Sequence, residues 1–357
     1  MDSPPFVSIC IITGGNIPHL DACLSSISSQ ENAPPFEVIV CSNGGPDVGR
    51  LVRSRLPSAL VGHAERCYLG AARNPLIRRA TGEWLLFLDD DVTIRPNFLS
   101  DLHKLAKSHP EVAVLGGPND TPKGTPLFEV IQGAILASIL VSGPVRRRYG
   151  AHPPGPADER FFTLCNLAVR REAMISFPSQ LIGAEENAVL AELHRRGLVM
   201  YYDPQLAAFH ERRPTLRTFA AQMFKYGLGR GQLTRHNVST LRLPYVVPSA
   251  FVVYSSLALG FAGVQPLLLA PMAAYFAAVG ATALKIDWGL HAQTRKHVAV
   301  ILTAGVLAVT VHVCYGLGFL CGLAIGPYRE VQEPVPAAPT FYPEPANPEA
   351  PELTPTS

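Results

Sequence analysis

The chain has 357 residues, of which 48% are apolar and 16% charged, with a formal net charge of +2. So small a charge argues against nucleic acid as a partner, because such proteins carry a strongly basic domain. The apolar residues concentrate after Pro244. This distribution predicts a globular domain followed by a membrane-bound part.

The first ninety residues alternate between strand and helix patterns. Short β-branched or apolar runs predict buried strands, and apolar residues at helical spacing predict helices between them. The predicted strands are Val7–Ile12, Glu37–Cys41 and Trp84–Leu88. The first predicted helix contains Leu20, Cys23, Leu24 and Ile27, and the second runs from Ala71 to Ala80. This alternation predicts an α/β fold with a parallel sheet, which binds ligands at the carboxyl ends of its strands.

The middle of the chain has a mixed pattern of strands, loops and a helix. We expect strands at Val112–Leu115 and Leu206–Phe209 and a loop at Gly143–Pro156. A helix is predicted at Glu185–Arg196, because Gly197 supplies a stop signal directly after it.

Three apolar segments follow, at about 244–263, 264–284 and 298–325, and each is near the ~20 residues that cross a bilayer. Positive charges at Arg242, Lys285, Arg295 and Lys296 predict a multi-pass protein of the cytoplasmic (inner) membrane whose N-terminal domain lies in the cytoplasm. The third span then leaves the Pro-rich tail on the opposite side, and its composition predicts disorder. The predicted organisation is a catalytic domain at 1–240, a membrane domain at 241–327 and the tail at 328–357.

The three consecutive aspartates Asp89, Asp90 and Asp91 end the third strand run. Adjacent carboxylates repel one another unless a cation offsets them, and oxygen ligands suit Mg²⁺ or Mn²⁺. Alternate side chains of an extended backbone share a face, so Asp89 and Asp91 can turn to one ligand. The alternative is a solvated strand end that caps the next helix.

An ordered set of motifs resembles the family 2 glycosyltransferases of GT-A fold. The N-terminal motifs are Val7–Ile12, Ser29-Gln30, Cys41–Asp47, Gly70–Asn74, Ala80–Glu83 and Phe87–Asp91, and the later ones are Cys165–Arg171, Gly183–Asn187, Gly197, Pro204 and His210. Tyr226–Gly231, with apolar spans behind it, is similar to the exopolysaccharide branch, the succinoglycan-type transferases.

The resemblance implies a metal-dependent, inverting transfer of a sugar from a nucleotide-diphosphate donor to a lipid-linked or polysaccharide acceptor. It implies that Asp91 ligates the divalent cation, that Asp89 faces the nucleotide and contributes to the metal site, and that His210 is a further ligand. Glu186 is expected to be the catalytic base, with Glu185 orienting donor or acceptor hydroxyls. The alternative is an acidic first helical turn that complements the helix dipole.

Further residues are expected to bind the nucleotide sugar. They are Thr13, Gly14, Ser42, Asn43, Arg73, Asn74 and Asp90. Ser42 stands where the family commonly has an aspartate for the nucleobase, which leaves the donor base open. The run Arg146–Arg148 is interpreted as a solvated loop, or as a contact to an anionic lipid acceptor or bilayer headgroups.

Two other functions fit parts of the sequence. Leu88–Thr93 matches the motif of haloacid-dehalogenase-type phosphatases, with Asp89 as nucleophile. A catalytically inactive membrane scaffold of the same fold is the other alternative. A membrane tether favours the transferase, since it keeps the site near a lipid-linked acceptor and near other polysaccharide-assembly proteins.

Overall fold

The computed structural model describes residues 4–179, 181–325 and 340–342. The strands are β1 (Val7–Thr13), β2 (Phe36–Asn43), β3 (Leu60–Ala64), β4 (Trp84–Asp89), β5 (Val92–Ile94), β6 (Val112–Gly116), β7 (Asn119–Asp120), β8 (Gly155–Ala157), β9 (Leu167–Arg170), β10 (Val199–Tyr202), β11 (Ala208–His210) and β12 (Thr340–Tyr342).

The α-helices are α1 (Ile17–Ser28), α2 (Gly49–Arg55), α3 (Leu69–Arg79), α4 (Phe98–Ser108), α5 (Leu127–Leu136), α6 (Ile139–Ser142), α7 (Glu185–Arg195), α8 (Leu216–His236), α9 (Leu243–Gly260), α10 (Ala270–Leu290) and α11 (His297–Ala324).

Nine strands form the main sheet in the order β12-β3-β2-β1-β4-β9-β6-β10-β8. Strands β3, β2, β1, β4, β6 and β10 run in one direction, and β9 is antiparallel to both β4 and β6. The predicted α/β fold with a mostly parallel sheet is therefore confirmed.

Helices cover both faces of this sheet because its central strands are apolar on both sides. In β1, Ile9 and Ile11 face a core that includes residues of α1, α2 and α4, and Cys10 and Ile12 face a second core with residues of α3 and α7. The buried residues of α1 are those of the predicted helical pattern. A second, three-stranded sheet in the order β5-β11-β7 lies beside the main one.

Within the described residues, three helices are long and apolar enough to cross a membrane: Leu243–Gly260, Pro266–Leu290, which includes a 3₁₀ turn ahead of α10, and His297–Ala324. Their number agrees with the predicted spans, although the second helical segment begins and ends later than expected. A further pair, Leu127–Leu136 with Ile139–Tyr149, passes the same test together but is bent by 56°.

The predicted boundary at residue 240 falls between α8 and α9, but packing continues across it. Glycines let α8 and α11 approach backbone to backbone: a Cβ on Gly227 would lie 2.1 Å from the Tyr315 carbonyl oxygen, and one on Gly318 would lie 2.1 Å from that of Phe224. Such close contact through small residues is typical of membrane helix pairs. The apolar helices are thus anchored on α8 of the catalytic part.

Two local predictions are wrong. The expected loop at Gly143–Pro156 contains a 3₁₀-helix at Gly143–Tyr149, which follows directly after α6, and it also contains the first two residues of β8. The expected strand Leu206–Phe209 starts only at Ala208, because Asp203 caps a short 3₁₀ turn at Pro204–Leu206.

The predicted tail at 328–357 lies outside the described residues except for β12. This strand is antiparallel to β3, with Phe341 opposite Gly62. The Phe341 ring packs directly on Gly62: a Cβ added there would lie only 2.7 Å from the ring atom Cε1. The Arg79 guanidinium stacks over the same ring. For these three residues the prediction of disorder is wrong, because they form an edge strand of the main sheet.

Candidate active site

The site lies at the carboxyl ends of β1, β2 and β4. Their register places Ile12 beside Asp89 and Thr13 beside Ser42, so the predicted polar residues arrive at one edge of the sheet. Asp89 is the last residue of β4, and the chain turns at Asp90 and Asp91 into β5. The parallel sheet thus delivers these side chains to the edge where ligands bind.

Asp89, Asp91 and His210 form a group that fits a divalent cation. Each offers one ligand atom, and the three atoms lie within 4.8 Å of one another. His210 arrives there because β11 pairs with β5, and the Glu211 backbone N–H donates to the Asp91 carbonyl oxygen at 3.1 Å. Two carboxylates and an imidazole suit Mn²⁺ or Mg²⁺, with the imidazole favouring Mn²⁺.

The charges around Asp91 keep it ionised. The His210 Nε2 atom lies 3.2 Å from Asp91 Oδ1, and Arg213 Nη2 lies 3.6 Å from Oδ2. Burial alone would raise the pKa of Asp91, but His210 and Arg213 outweigh it and lower that pKa to about 2. The other ring nitrogen of His210, Nδ1, is buried without a hydrogen-bond partner among the described residues.

Asp90 has a different environment from its two neighbours. Its Oδ2 accepts a hydrogen bond of 2.5 Å from the Thr13 hydroxyl, and its carboxylate also accepts from the backbone N–H of Gly14. The Thr13 hydroxyl in turn accepts from the Gly15 backbone N–H at 2.9 Å. These contacts tie the turn after β4 to the end of β1.

Arg73 connects the aspartate turn to the acidic start of α7. Its side chain is 6% exposed, with Nη2 3.0 Å from Asp89 Oδ1 and Nη1 2.8 Å from Glu185 Oε1. Burial raises the pKa of Asp89, and Arg73 opposes that rise. One guanidinium therefore holds a carboxylate on each side of the site and leaves Oδ2 of Asp89 for a cation.

Glu185 and Glu186 are the first two residues of α7. Ala184, which precedes them, has φ 64° and no side-chain cap, a left-handed conformation that is uncommon for alanine and often marks functional sites. Glu186 Oε1 accepts a 2.6 Å hydrogen bond from the Asn187 amide nitrogen. Burial, and then the charge of Glu185, raise the pKa of Glu186, as a general base working near neutral pH requires.

Three predicted nucleotide-binding residues are engaged in scaffold contacts. The Ser42 hydroxyl donates to the Pro46 carbonyl oxygen at 2.8 Å. Asn43 holds the Cys67 backbone through both ends of its amide, and Asn74 holds Phe177 in the same way. Their side chains shape the rim of the site, while Gly14 is exposed at its edge.

The sequence interpretation gave no site role to Arg213 or Asn187, and for Arg148 it offered a solvated loop or a contact to an anionic lipid acceptor or bilayer headgroups, not a contact to Asn187. Arg213 lies three residues after His210, so its positive charge at the end of the same strand could have predicted a contact with Asp91. Asn187 directly follows Glu185 and Glu186, and its partner Arg148 lies 39 residues away, at 2.8 Å from its Oδ1. Sequence spacing carries no signal for that contact.

Part of this sequence matches a known protein family and its members. Residues 8–174 match the model of "Glycosyl transferase family 2". The chain is 26% identical over 246 residues to the succinoglycan biosynthesis protein ExoM of Rhizobium meliloti, covering 63% of this chain and 74% of that protein. It is 31% identical over 100 residues to the uncharacterized glycosyltransferase YwdF of Bacillus subtilis, covering 28% of this chain and 37% of that protein.

A solved structure shares the fold. The mannosyltransferase PcManGT of Pyrobaculum calidifontis, in complex with GDP-Man and Mn²⁺, superposes with a TM-score of 0.50 at 18% identity over 86% of each chain. The resemblance inferred from the motifs is confirmed by the family match, which spans β1 through β9 and includes all three aspartates. The chain therefore carries a family 2 glycosyltransferase domain with the GT-A fold.

Proposed function

We propose that this chain is a metal-dependent, inverting glycosyltransferase that moves a sugar from a nucleotide-diphosphate donor to a lipid-linked or growing polysaccharide acceptor. The observation that carries the proposal is the arrangement of the site: a cation-binding group of Asp89, Asp91 and His210, joined through Arg73 to the acidic start of α7. Exopolysaccharide or envelope glycan synthesis is the setting we infer, since ExoM is a succinoglycan biosynthesis protein.

In this mechanism Asp91, Asp89 and His210 hold the divalent cation, and Arg213 keeps Asp91 ionised. The bound cation supplies Lewis-acid stabilisation to the departing diphosphate. Thr13 and Asp90 fix the turn that carries the ligands, and the backbone at Gly14 approaches the nucleotide.

Glu186 acts as the general base on the acceptor. Its carboxylate accepts the proton of the attacking hydroxyl as that oxygen bonds to the anomeric carbon and the bond to the diphosphate breaks. Attack on the face opposite the leaving group inverts the configuration. Arg73 engages the Glu185 carboxylate, and we assign Glu185 to orienting Arg73.

We further propose that the apolar helices hold the site at the cytoplasmic face of the inner membrane, close to a lipid-linked acceptor. The exposed apolar side chains of α9, α10 and α11 support this placement, since water does not favour so large an apolar surface. A tether raises the effective concentration of a membrane-bound acceptor at the site.

A turnover assay tests the proposal. The full chain in nanodiscs is incubated with a panel of nucleotide sugars, and nucleoside diphosphate release is measured with Mn²⁺, with Mg²⁺ and with chelator. We expect release that needs the cation, is lost in Asp91→Ala and persists in the control Asp101→Ala, whose carboxylate pairs with Lys104 on α4. Phosphate release from phosphoesters that depends on Asp89 would instead favour the phosphatase, an alternative that the family match and the fold oppose.

A further inference from the structure

Arg148 differs from its two neighbours in the run Arg146–Arg148. Its Nε donates to the Arg160 carbonyl oxygen at 2.7 Å, and its Nη2 donates to Asn187 Oδ1 at 2.8 Å. Arg147 instead stacks over the Phe161 ring at 4.9 Å. The Arg148 guanidinium is therefore committed to acceptors within the protein and not to an outside anion.

The contact to Asn187 continues to Glu186. Asn187 is 2% exposed, and its amide nitrogen donates to Glu186 Oε1 at 2.6 Å. The amide satisfies both neighbours only with its oxygen toward the guanidinium and its nitrogen toward the carboxylate. A directed chain of hydrogen bonds thus runs from Arg148 through Asn187 to Glu186.

Four ionisable groups act on the Glu186 carboxyl or lie near it. Burial raises the pKa of Glu186 most, and the charge of Glu185 on α7 raises it further. Arg148, and Arg230 on α8, lower that pKa. Tyr149, next to Arg148, is a buried phenol whose own pKa is raised by burial and, more weakly, by Glu186. Arg230 is held separately, stacked 4.1 Å over the Tyr245 ring at the start of α9. Only Arg148 reaches Glu186 through the bonded amide.

Arg148 also marks the end of the bent apolar pair, Leu127–Leu136 with Ile139–Tyr149. Buried residues of α5, Ile131 and Ile135, share a core with Val279 of α10 and Leu307 of α11. The segment that carries Arg148 is therefore packed on the helices that would meet the bilayer. Its position at the start of the hydrogen-bond chain links those helices to the base.

We propose that Arg148 is a positioning residue for Glu186: through Asn187 it aligns the carboxylate and favours its ionised form. This inference rests on the proposed function, in which Glu186 is the base. Arg148 itself contacts neither donor nor acceptor in this account.

The test follows the Glu186 carboxyl directly, without any sugar. Infrared difference spectra of the full chain in nanodiscs are recorded across pH, and Glu186→Gln identifies the protonated-carboxyl band of Glu186. In Arg148→Gln we expect that band to titrate at a pH higher by about one unit or more, since an opposite charge near a carboxylate lowers its pKa by about 1–3 units. Arg146 is not part of this series of hydrogen bonds, so in Arg146→Gln the Glu186 band should titrate at the same pH as in the wild type.

A second variant protects the test against misfolding. Asn187→Leu removes the amide that donates to Glu186 and retains Arg148, so it should shift the titration in the same direction. If both Arg148→Gln and Asn187→Leu are folded by circular dichroism and titrate with the wild type, the inference is wrong. If Arg148→Gln does not fold, the Asn187→Leu titration alone decides it.

Activity then separates this inference from the proposed function. With any nucleotide sugar that is turned over, the acidic limb of the kcat profile should move with the infrared titration in Arg148→Gln, and the donor KM should stay unchanged. If the infrared titration of Arg148→Gln shifts but its kcat profile does not, the hydrogen bonds from Arg148 to Glu186 act as inferred, and Glu186 is not the base. If the infrared titration of Arg148→Gln does not shift while the wild-type kcat profile has its acidic limb, Arg148 is not a positioning residue, and the proposed transferase function stands.

Discussion

Removal of the Arg73 guanidinium should destabilise the catalytic domain more than any exposed ion pair can. Arg73 is 6% exposed and is the shared partner of Asp89 and Glu185, so Arg73→Met leaves two carboxylates without their buried cation. Breaking a buried ion pair by removing one partner costs about 3–5 kcal/mol, whereas an isosteric replacement of all partners is often neutral.

That free energy sets the size of the expected shift. At about 2–4 °C of Tm per kcal/mol for a domain of this size, Arg73→Met should unfold roughly 6–20 °C below the wild type. The assay is thermal unfolding of the full chain in nanodiscs, followed by tryptophan fluorescence, because Trp84 is buried in β4 of the catalytic sheet. Melting curves of Trp84→Phe identify its contribution.

Two further variants make the measurement decisive. Arg55→Met breaks an exposed pair with Asp21, 2.8 Å apart, and should leave Tm unchanged. The double variant Arg73→Met with Glu185→Gln removes one of the two uncompensated charges and should recover part of the loss. Equal melting temperatures for Arg73→Met and Arg55→Met would refute the reasoning, as would a double variant less stable than Arg73→Met alone.

Three other predictions concern catalysis. Asp91→Asn should lower metal-dependent nucleoside diphosphate release by roughly a hundredfold or more at saturating donor, since a lost charge-stabilising group typically costs this much, and isothermal titration should show weaker Mn²⁺ binding. Glu186→Gln should lower kcat by about 10²–10⁴-fold with little change in donor KM. Because the pKa of Glu186 is raised and a base must be ionised to accept a proton, wild-type kcat should fall with decreasing pH at values above 4.5, the ordinary value, and Glu186→Gln should lose this limb. Gly229→Ala places a Cβ 2.7 Å from the Gly183 carbonyl oxygen, so it should displace the loop before α7. We expect this variant to be less stable by about 1–3 kcal/mol and to have a lower kcat. Gly280 has open space around it, so Gly280→Ala should change neither stability nor kcat.

The elements that sequence predicted best were those whose period is set by burial. The strand at Val7–Ile12 and the helix with Leu20 and Ile27 follow directly from apolar spacing, because one face or both faces must enter a core. The short strands β7 and β8 were not predicted, and β11 was predicted to start two residues too early. They are two or three residues long, too short for a period to show, and their pairing is fixed by tertiary contacts.

The candidate site shows the same division. Asp89 and Asp91 follow an apolar strand, so their place at the sheet edge could be predicted, and the match to family motifs pointed to His210. What those side chains bond to could not be predicted. The engagement of Glu185 by Arg73, 112 residues apart in the chain, depends on how α3 and α7 pack. The scaffold contacts of Asn43 and Asn74 likewise arise from loops whose course is set by the folded structure.

The strand β12 restricts how the chain can thread a bilayer. Arg242, at the start of α9, lies 3.0 Å from Glu159 of the catalytic part, and β12, after α11, pairs with β3 of the same part. The fourteen residues 326–339 include Arg329, Glu330 and Glu333, and they are too few and too polar for the ~20 apolar residues that a crossing needs. We therefore predict that the chain enters and leaves a bilayer on the same side, with an even number of complete crossings between Leu243 and Thr340 in place of one crossing each by α9, α10 and α11.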